Sequence, residues 1–232
     1  MENSSGLDST GLTLVALTVL FFGISILALV MRLWARKIKR APVGLDDWLM
    51  VASVVLLSGV CANILAGVYT YGGGQVYADP EVSRRKMVIY LQSFYSLPPL
   101  YATNITPVKL SVLFLYRRIF PTPDVQRPCT LLIVICLIWW VIAIIGDLLY
   151  CIPMRHYWDP TEEGHCFDFP TFFLVMTIAD MLIDVAIFAT PMPTIRKLHM
   201  PLRKRLGVAG ILLLGALFVL STHLHFNRTD KA

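Results

Sequence analysis

Residues 11–31 read GLTLVALTVLFFGISILALVM, 21 positions without a single charged side chain. At a rise of ~1.5 Å per residue, a helix of this length crosses the ~30 Å hydrocarbon core of a bilayer. An apolar run this long exceeds what the core of a water-soluble domain requires. The stretch therefore predicts a transmembrane helix.

Further apolar segments follow it along the chain, and we predict spans at 48–69, 88–116, 129–150, 169–190 and 206–224. The segment 88–116 is the least regular, because it contains three prolines and a lysine. The composition agrees with a membrane protein, since 56% of the residues are hydrophobic against roughly 45–50% in soluble domains. We therefore expect an all-α fold, a polytopic transmembrane helix bundle of about six spans over residues 11–226. Short tails, 1–10 and 227–232, flank it.

The 20 Lys and Arg residues lie mostly in alternate loops. Thirteen fall in 32–40, 117–127 and 196–205, against six in the loops on the opposite side. Because basic loops resist translocation, the side with thirteen is predicted to be cytoplasmic and the amino terminus external. This distribution accounts for the net charge of +5 without a nucleic acid partner. Asn3 and Asn227, each within Asn-x-Ser/Thr, then become candidate external glycosylation sites.

Four charged side chains lie within the predicted spans: Lys109, Asp147, Asp180 and Asp184. Each costs ~2.5–3.5 kcal/mol at mid-bilayer on insertion scales, so each needs a partner or a function. Asp180 and Asp184 are four residues apart and share one helix face. We expect Asp184, with Asp180, to pair with Lys109 in the bundle interior and to line a ligand or proton site. The alternatives are a purely structural ion pair, or a Lys109 side chain that snorkels to the cytoplasmic surface.

Two carboxylates, Asp46 and Asp47, stand at the start of the second predicted helix, followed by Trp48. Carboxylates at this position favour the helix dipole and can cap free amides. We expect this cytoplasmic helix-two entry motif to form salt bridges with the basic segment 32–40, and Trp48 to be an interfacial anchor. A direct contact with a signalling protein is the alternative.

Cys151 and Cys166 occupy one predicted external loop, where oxidising conditions permit a disulfide. The other three cysteines fall within spans and read as small apolar fillers. The histidines lack a recognised ligand spacing, so we expect no metal. No nucleophilic triad or phosphate-binding glycine loop is evident either, so the motifs favour a protein without a cofactor and without enzymatic activity.

Several ordered motifs resemble those of the fungal rhodopsin-domain integral membrane proteins. The resemblance covers most of the chain, from Asp46-Asp47-Trp48 through Lys109-Leu110-Ser111 and Cys151-Ile152-Pro153 to Pro191 and Pro193. Two features depart from the family pattern. The turn Tyr71-Gly72-Gly73-Gly74-Gln75 lacks the usual histidine, and no seventh apolar segment follows residue 224.

The resemblance implies a seven-helix, receptor-like fold whose seventh helix is missing from this sequence, in a family that includes membrane proteins of secondary-metabolite clusters. It suggests a receptor-like or sensor protein of the plasma membrane, with a small-molecule ligand in the bundle and a cytoplasmic signalling partner. A membrane-embedded enzyme acting on a hydrophobic metabolite, with Asp180 or Asp184 as general acid, is an alternative. Transport or a structural role is another. Retinal is not expected, because the last predicted helix contains no lysine.

Overall fold

The computed structural model describes residues 9–40, 42–71, 80–159 and 161–192. Within these ranges the chain forms the helices α1 (Ser9–Ile38), α2 (Leu45–Tyr71), α3 (Pro80–Ile119), α4 (Pro123–Leu149) and α5 (Phe169–Ala189). Between α4 and α5 lie strand β1 (Cys151–Ile152), a short 3₁₀ helix (Met154–Tyr157) and strand β2 (His165–Cys166). The predicted all-α fold class is confirmed.

Four of the described helices are long and apolar enough to cross a membrane: Gly11–Ile38, Leu45–Tyr69, Pro123–Leu149 and Phe169–Ala189. They correspond to the first, second, fourth and fifth predicted spans. Helix α3 has sufficient length at 40 residues, but its charged and polar residues keep it out of this set. The predicted span 206–224, the tail 227–232, Asn3 and Asn227 lie outside the described residues. The chain is thus a multi-pass membrane protein, and the number six stays a prediction.

The helices extend beyond the predicted spans into the polar flanks. Helix α3 begins at Pro80, well before residue 88, where the predicted span begins. Proline suits a first helical position, because its missing N–H would have no partner there. Helix α1 continues through Arg32 and Arg36, and cations in a last turn interact favourably with the helix dipole. Hydropathy locates the apolar part of each helix but not its polar ends.

Helix α3 lies at the centre of the described bundle, in contact with α2, α4 and α5, whereas α1 packs mainly on α2. The side of α4 that faces inward is defined by buried residues at helical spacing: Val125, Cys129, Leu132, Cys136, Trp139, Ala143 and Asp147. All of them except Asp147 meet Leu113 of α3 and Ile183 and Ile187 of α5 in one apolar core. The opposite side of α4 exposes leucines and isoleucines, as expected of a surface in contact with lipid.

A close approach between α4 and α5 depends on Gly146. A Cβ atom at this position would overlap the aromatic ring of Phe172 on α5. Gly59 of α2 is a useful contrast, because a Cβ added there meets no heavy atom within 4 Å. Alanine substitutions at these two positions therefore distinguish the packing requirement at Gly146 from the general cost of glycine in a helix.

We predict that Gly146→Ala lowers the free energy of unfolding by about 1–3 kcal/mol, since the added methyl group overpacks the contact with Phe172. The control Gly59→Ala should be neutral or stabilising by up to ~1 kcal/mol, because alanine is the better helix former. Thermal unfolding of both variants in lipid nanodiscs measures the difference. Equal melting temperatures would contradict the close approach.

Candidate functional site

The ammonium group of Lys109 lies in the interior of the bundle between α3 and α5. Its Nζ donates hydrogen bonds to Asp180 Oδ1 at 2.7 Å and to the main-chain carbonyl of Asp180 at 3.2 Å. It also forms an ion pair with Asp184 Oδ1 at 2.8 Å. We call these three residues the Lys109 cluster. One cation facing two carboxylates leaves the cluster with an excess of one negative charge when all three are ionised.

The two carboxylates of the cluster differ in exposure. The side chain of Asp180 is 10% exposed and that of Lys109 is 5% exposed, whereas Asp184 is 43% exposed. Asp180 is therefore the enclosed partner of the lysine, and Asp184 is the accessible one. The sequence singled out Asp184 first, because the four-residue spacing gives no information on which carboxylate lies deeper.

Trp139 of α4 completes the surroundings of Lys109. Its ring centroid lies 5.7 Å from Lys109 Nζ, within the range of a cation–π interaction. The indole Nε1 donates a hydrogen bond to the Met176 carbonyl of α5 at 3.1 Å. Three helices thus meet at the lysine. Trp139 was not predicted from the sequence, because a tryptophan in an apolar span gives no sign of the charge that it faces.

A second charged cluster joins the carboxyl end of α1 to the start of α2. Arg32 Nη2 lies 2.8 Å from Asp46 Oδ2, and Arg32 Nε lies 3.0 Å from Asp47 Oδ1. Arg36 forms ion pairs with both aspartates. Asp47 also accepts a hydrogen bond from the Gly44 amide at 3.1 Å. Both carboxylates are buried, and their contacts fix the angle between the first two helices.

Arg118, near the end of α3, extends this cluster across the bundle. Its Nη1 lies 3.4 Å from Asp46 Oδ1, and its Nη2 donates to the Pro42 carbonyl at 2.8 Å. Ser111 of α3 donates to the Asp46 carbonyl at 2.6 Å. We call this side of the bundle the arginine end. Arg118 was not predicted to join the cluster, because nothing local links it to a residue 72 positions away. Trp48 is 67% exposed beside it.

At the opposite side, the loop end, a disulfide joins Cys151 to Cys166. The two cysteines are paired residues of the antiparallel strands β1 and β2. Aromatic rings pack against this hairpin: Tyr95 of α3 is stacked on Tyr150 at 5.1 Å between centroids, and Tyr157 is tilted against it at 5.3 Å. The loop is thus a compact cap on α3 and α4.

Asp159 holds the same loop to the beginning of α3. The Thr161 hydroxyl donates to Asp159 Oδ1 at 2.7 Å, and this hydrogen bond lowers the pKa of Asp159 below its usual value. Arg84 of α3 lies 3.9 Å from the same oxygen. The arginine side chain is largely exposed, so this ion pair contributes little to the stability of the fold.

Asp147, the fourth charged residue predicted within the spans, does not join the Lys109 cluster. It lies near the end of α4 and is 6% exposed. Among the described residues, no hydrogen bond or ion pair connects its carboxyl group to another side chain. The structure therefore brings together Lys109, Asp180 and Asp184 and leaves Asp147 apart at the loop end.

The family model described as the fungal rhodopsin domain matches residues 31–231. This chain belongs to the fungal rhodopsin-domain family. The match includes the arginine end, the Lys109 cluster and the disulfide loop within its limits. No solved structure shows a significant match to the chain.

Several curated proteins are similar to this family member. The polyenoic acids biosynthesis gene cluster protein Ba17b of Metarhizium anisopliae is 28% identical over 94% of this chain and 60% of the relative. The wortmanamides biosynthesis cluster protein C of Talaromyces wortmannii is 26% identical over 90% of the chain and 58% of the relative. A SAT4 family membrane protein of Emericella nidulans is 31% identical over 50% of the chain and 31% of the relative. The chain therefore spans less than two thirds of the length of these relatives.

We predict that Lys109→Met lowers the free energy of unfolding by about 3–5 kcal/mol, because it leaves two carboxylates without a counter-charge inside the bundle. The double variant Lys109→Met with Asp180→Asn should recover part of that loss, since it removes one of the orphaned charges. Thermal unfolding in nanodiscs and the folded fraction at the cell surface measure both. Additive losses in the double variant would contradict an energetic link between the two residues.

Proposed function

We propose that this chain is a receptor-like membrane protein, a sensor that binds a small lipophilic molecule in its helix bundle at the Lys109 cluster. One observation carries the proposal: Asp184 contacts the buried Lys109 and yet exposes 43% of its side chain. A carboxylate in this position can accept a hydrogen bond from a ligand while Lys109 remains ion-paired with Asp180. The ligand thereby gains a polar contact without unpairing a buried charge.

Replacement of the contact between Lys109 and Asp184 by a contact between the ligand and Asp184 allows the bundle to change conformation when the ligand binds. Lys109 is on α3 and both carboxylates are on α5, so a ligand that competes for Asp184 alters the attraction between these two helices. A ligand shifts a conformational equilibrium only through a difference in its affinity for the two states. The contact between Lys109 and Asp184 supplies such a difference, because a bound donor group satisfies Asp184 when the helices separate.

The names of similar proteins support a lipophilic ligand. Ba17b is described as a protein of a polyenoic acids gene cluster, and protein C as a member of a wortmanamides cluster. A compound that partitions into the bilayer reaches the bundle from the lipid side, where α5 exposes apolar side chains such as Val175 and Leu182. We infer that the ligand carries a long apolar part and at least one hydrogen-bond donor.

We predict that a long-chain alcohol raises the melting temperature of the protein in nanodiscs, whereas the alkane of equal chain length does not. At about ten times its dissociation constant, a ligand stabilises the folded state by ~1.4 kcal/mol, which corresponds to about 3–5 °C for a protein of this size. Asp184→Asn should lose most of the increase, because the amide accepts the hydrogen bond more weakly.

Asp168→Asn is the matched control, since Asp168 is the exposed residue that immediately precedes the same helix. This variant should respond to the alcohol as the wild type does. An equal response of the wild type and Asp184→Asn would overturn the assignment of the binding site. A response of the wild type to the alkane would show that membrane partitioning alone stabilises the protein.

A membrane-embedded enzyme is the second candidate, and the biosynthetic clusters named for the similar proteins favour it. In that case Asp184 or Asp180 donates a proton to a bound hydrophobic substrate. Candidate lipophilic precursors incubated with membranes that contain the protein should then yield a new product by mass spectrometry, and Asp184→Asn should abolish it. Unchanged precursors would remove this candidate.

We further propose that the chain has six spans in the plasma membrane with its amino terminus outside and the arginine end in the cytoplasm, available to a signalling partner. The thirteen-to-six distribution of Lys and Arg supports this orientation. So does the meeting of Arg32, Asp46 and Arg118 at one end of the bundle, since these residues come from two predicted cytoplasmic loops.

Cysteine labelling tests the orientation. We predict that a membrane-impermeant maleimide labels Glu162→Cys on intact cells but labels Asp124→Cys only after permeabilisation, because these exposed positions belong to opposite ends. The wild type provides the background, since its free cysteines Cys61, Cys129 and Cys136 lie within helices. The reverse pattern would overturn the orientation, and absence of labelling at both sites on intact cells would argue for an internal membrane.

A further inference from the structure

The carboxyl group of Asp147 occupies a position that the proposed ligand site does not use. It lies on the buried face of α4, where Cys136, Trp139 and Ala143 precede it at helical spacing. It follows Trp139, the aromatic neighbour of Lys109, by eight residues, which is a rise of ~12 Å along the helix. Asp147 is therefore separate from the Lys109 cluster and lies close to the loop end.

No described residue neutralises Asp147. The residue is only 6% exposed, and its carboxyl group receives no hydrogen bond from the described side chains and no ion pair from their lysines or arginines. Lys109 is engaged with its own two carboxylates. Arg155 lies within the loop and Arg84 pairs with Asp159 of the loop, and both arginines are exposed to solvent.

Within the described parts of α3, α4, α5 and the loop between α4 and α5, the titratable groups near Asp147 carry no positive charge. From α3 the neighbour is Tyr95, and its hydroxyl donates to the Leu148 carbonyl at 2.8 Å, so that proton is already used. The ring of Tyr150, just after α4, is stacked on Tyr95, and the ring of Tyr157 of the 3₁₀ helix is tilted against it. From α5, Phe172 packs against the adjacent Gly146. An ionised Asp147 would thus have no cation beside it among the described residues.

We propose that Asp147 is a proton-binding site of the bundle, which holds its proton as an uncharged carboxylic acid in neutral buffer. An aspartate in water carries a proton about one time in a thousand at neutral pH. An unpaired charge in a medium of low dielectric constant is costly enough to reverse this preference, and such a group binds a proton instead. The ligand of the site is a proton, and the proposal does not depend on ligand binding at Asp184.

The position of the site links proton occupancy to the disulfide loop. Asp147 lies four residues before Cys151 and close to Tyr95, whose ring contacts those of Tyr150 and Tyr157. Loss of the proton would place a negative charge without a counter-charge next to this aromatic cluster, which solvates it poorly. The hydrogen bond from Tyr95 to Leu148 would then compete with one to the carboxylate. The loop end would loosen as a result.

Carbodiimide labelling tests the proposal on the whole chain in lipid nanodiscs. The hydrophobic reagent dicyclohexylcarbodiimide takes up the proton of a carboxylic acid as the carboxyl oxygen bonds to its central carbon, so ionised carboxylates in water react poorly. After treatment in neutral buffer, peptide mass mapping should find Asp147 modified and the exposed Asp168 unmodified. The modification should decline when the buffer is made alkaline. Asp147→Asn should remove the label while preserving the fold, because the amide resembles the neutral acid in shape.

Infrared spectroscopy supplies a measurement that does not depend on access of the reagent. The wild type in neutral buffer should show the carbonyl stretching band of a protonated carboxylic acid, and this band should shift in heavy water. Asp147→Asn should lack it, whereas Asp168→Asn should retain it. Identical spectra for the wild type and Asp147→Asn, or a label on Asp168 equal to that on Asp147, would overturn the proposal.

Discussion

A lysine in the middle of α3 has to find negative charge inside the bundle, because the surrounding lipid offers none. Asp180 and Asp184 of α5 supply it at 2.7 and 2.8 Å. This pairing allows α3, the most polar of the described helices, to lie at the centre, where α2, α4 and α5 cover it. The outer helices can then present apolar side chains to lipid. The arrangement of the bundle follows from the need to neutralise one buried cation.

The two ends of the bundle are fixed by different chemistry. At the arginine end, two aspartates and three arginines from α1, α2 and α3 hold one another, so electrostatic attraction sets the helix angles there. At the loop end, the Cys151–Cys166 bond and stacked rings perform this task. Rearrangement of either end has a high cost in free energy, because it would leave unpaired charges or expose aromatic surface. The partly exposed Asp184 lies between them, which is why ligand recognition is proposed there.

The apolar helices could be predicted from sequence alone, because transfer of a helix into hydrocarbon depends on the composition of that segment and on little else. The α1 and α2 spans are examples. The start of α3 at Pro80 could not be found in this way, since polar residues such as Arg84 prolong a helix beyond the membrane without any hydropathy signal. The candidate site could be predicted in part from the sequence. The spacing of Asp180 and Asp184 gives a common face, but only the packing of α3 on α5 decides which carboxylate is enclosed.

The sequence by itself determined that the chain is a multi-pass helical membrane protein, that its basic residues fall in alternate loops, and that four charges lie among apolar residues. These properties are local or additive along the chain. Only the tertiary structure decided that Arg118 reaches Asp46 across 72 positions, that Trp139 faces the lysine, and that Asp147 has no counter-charge among the described residues. Such relations depend on helix rotation and separation, because a side chain pairs with the groups that packing brings within about 4 Å, however far apart they stand along the chain.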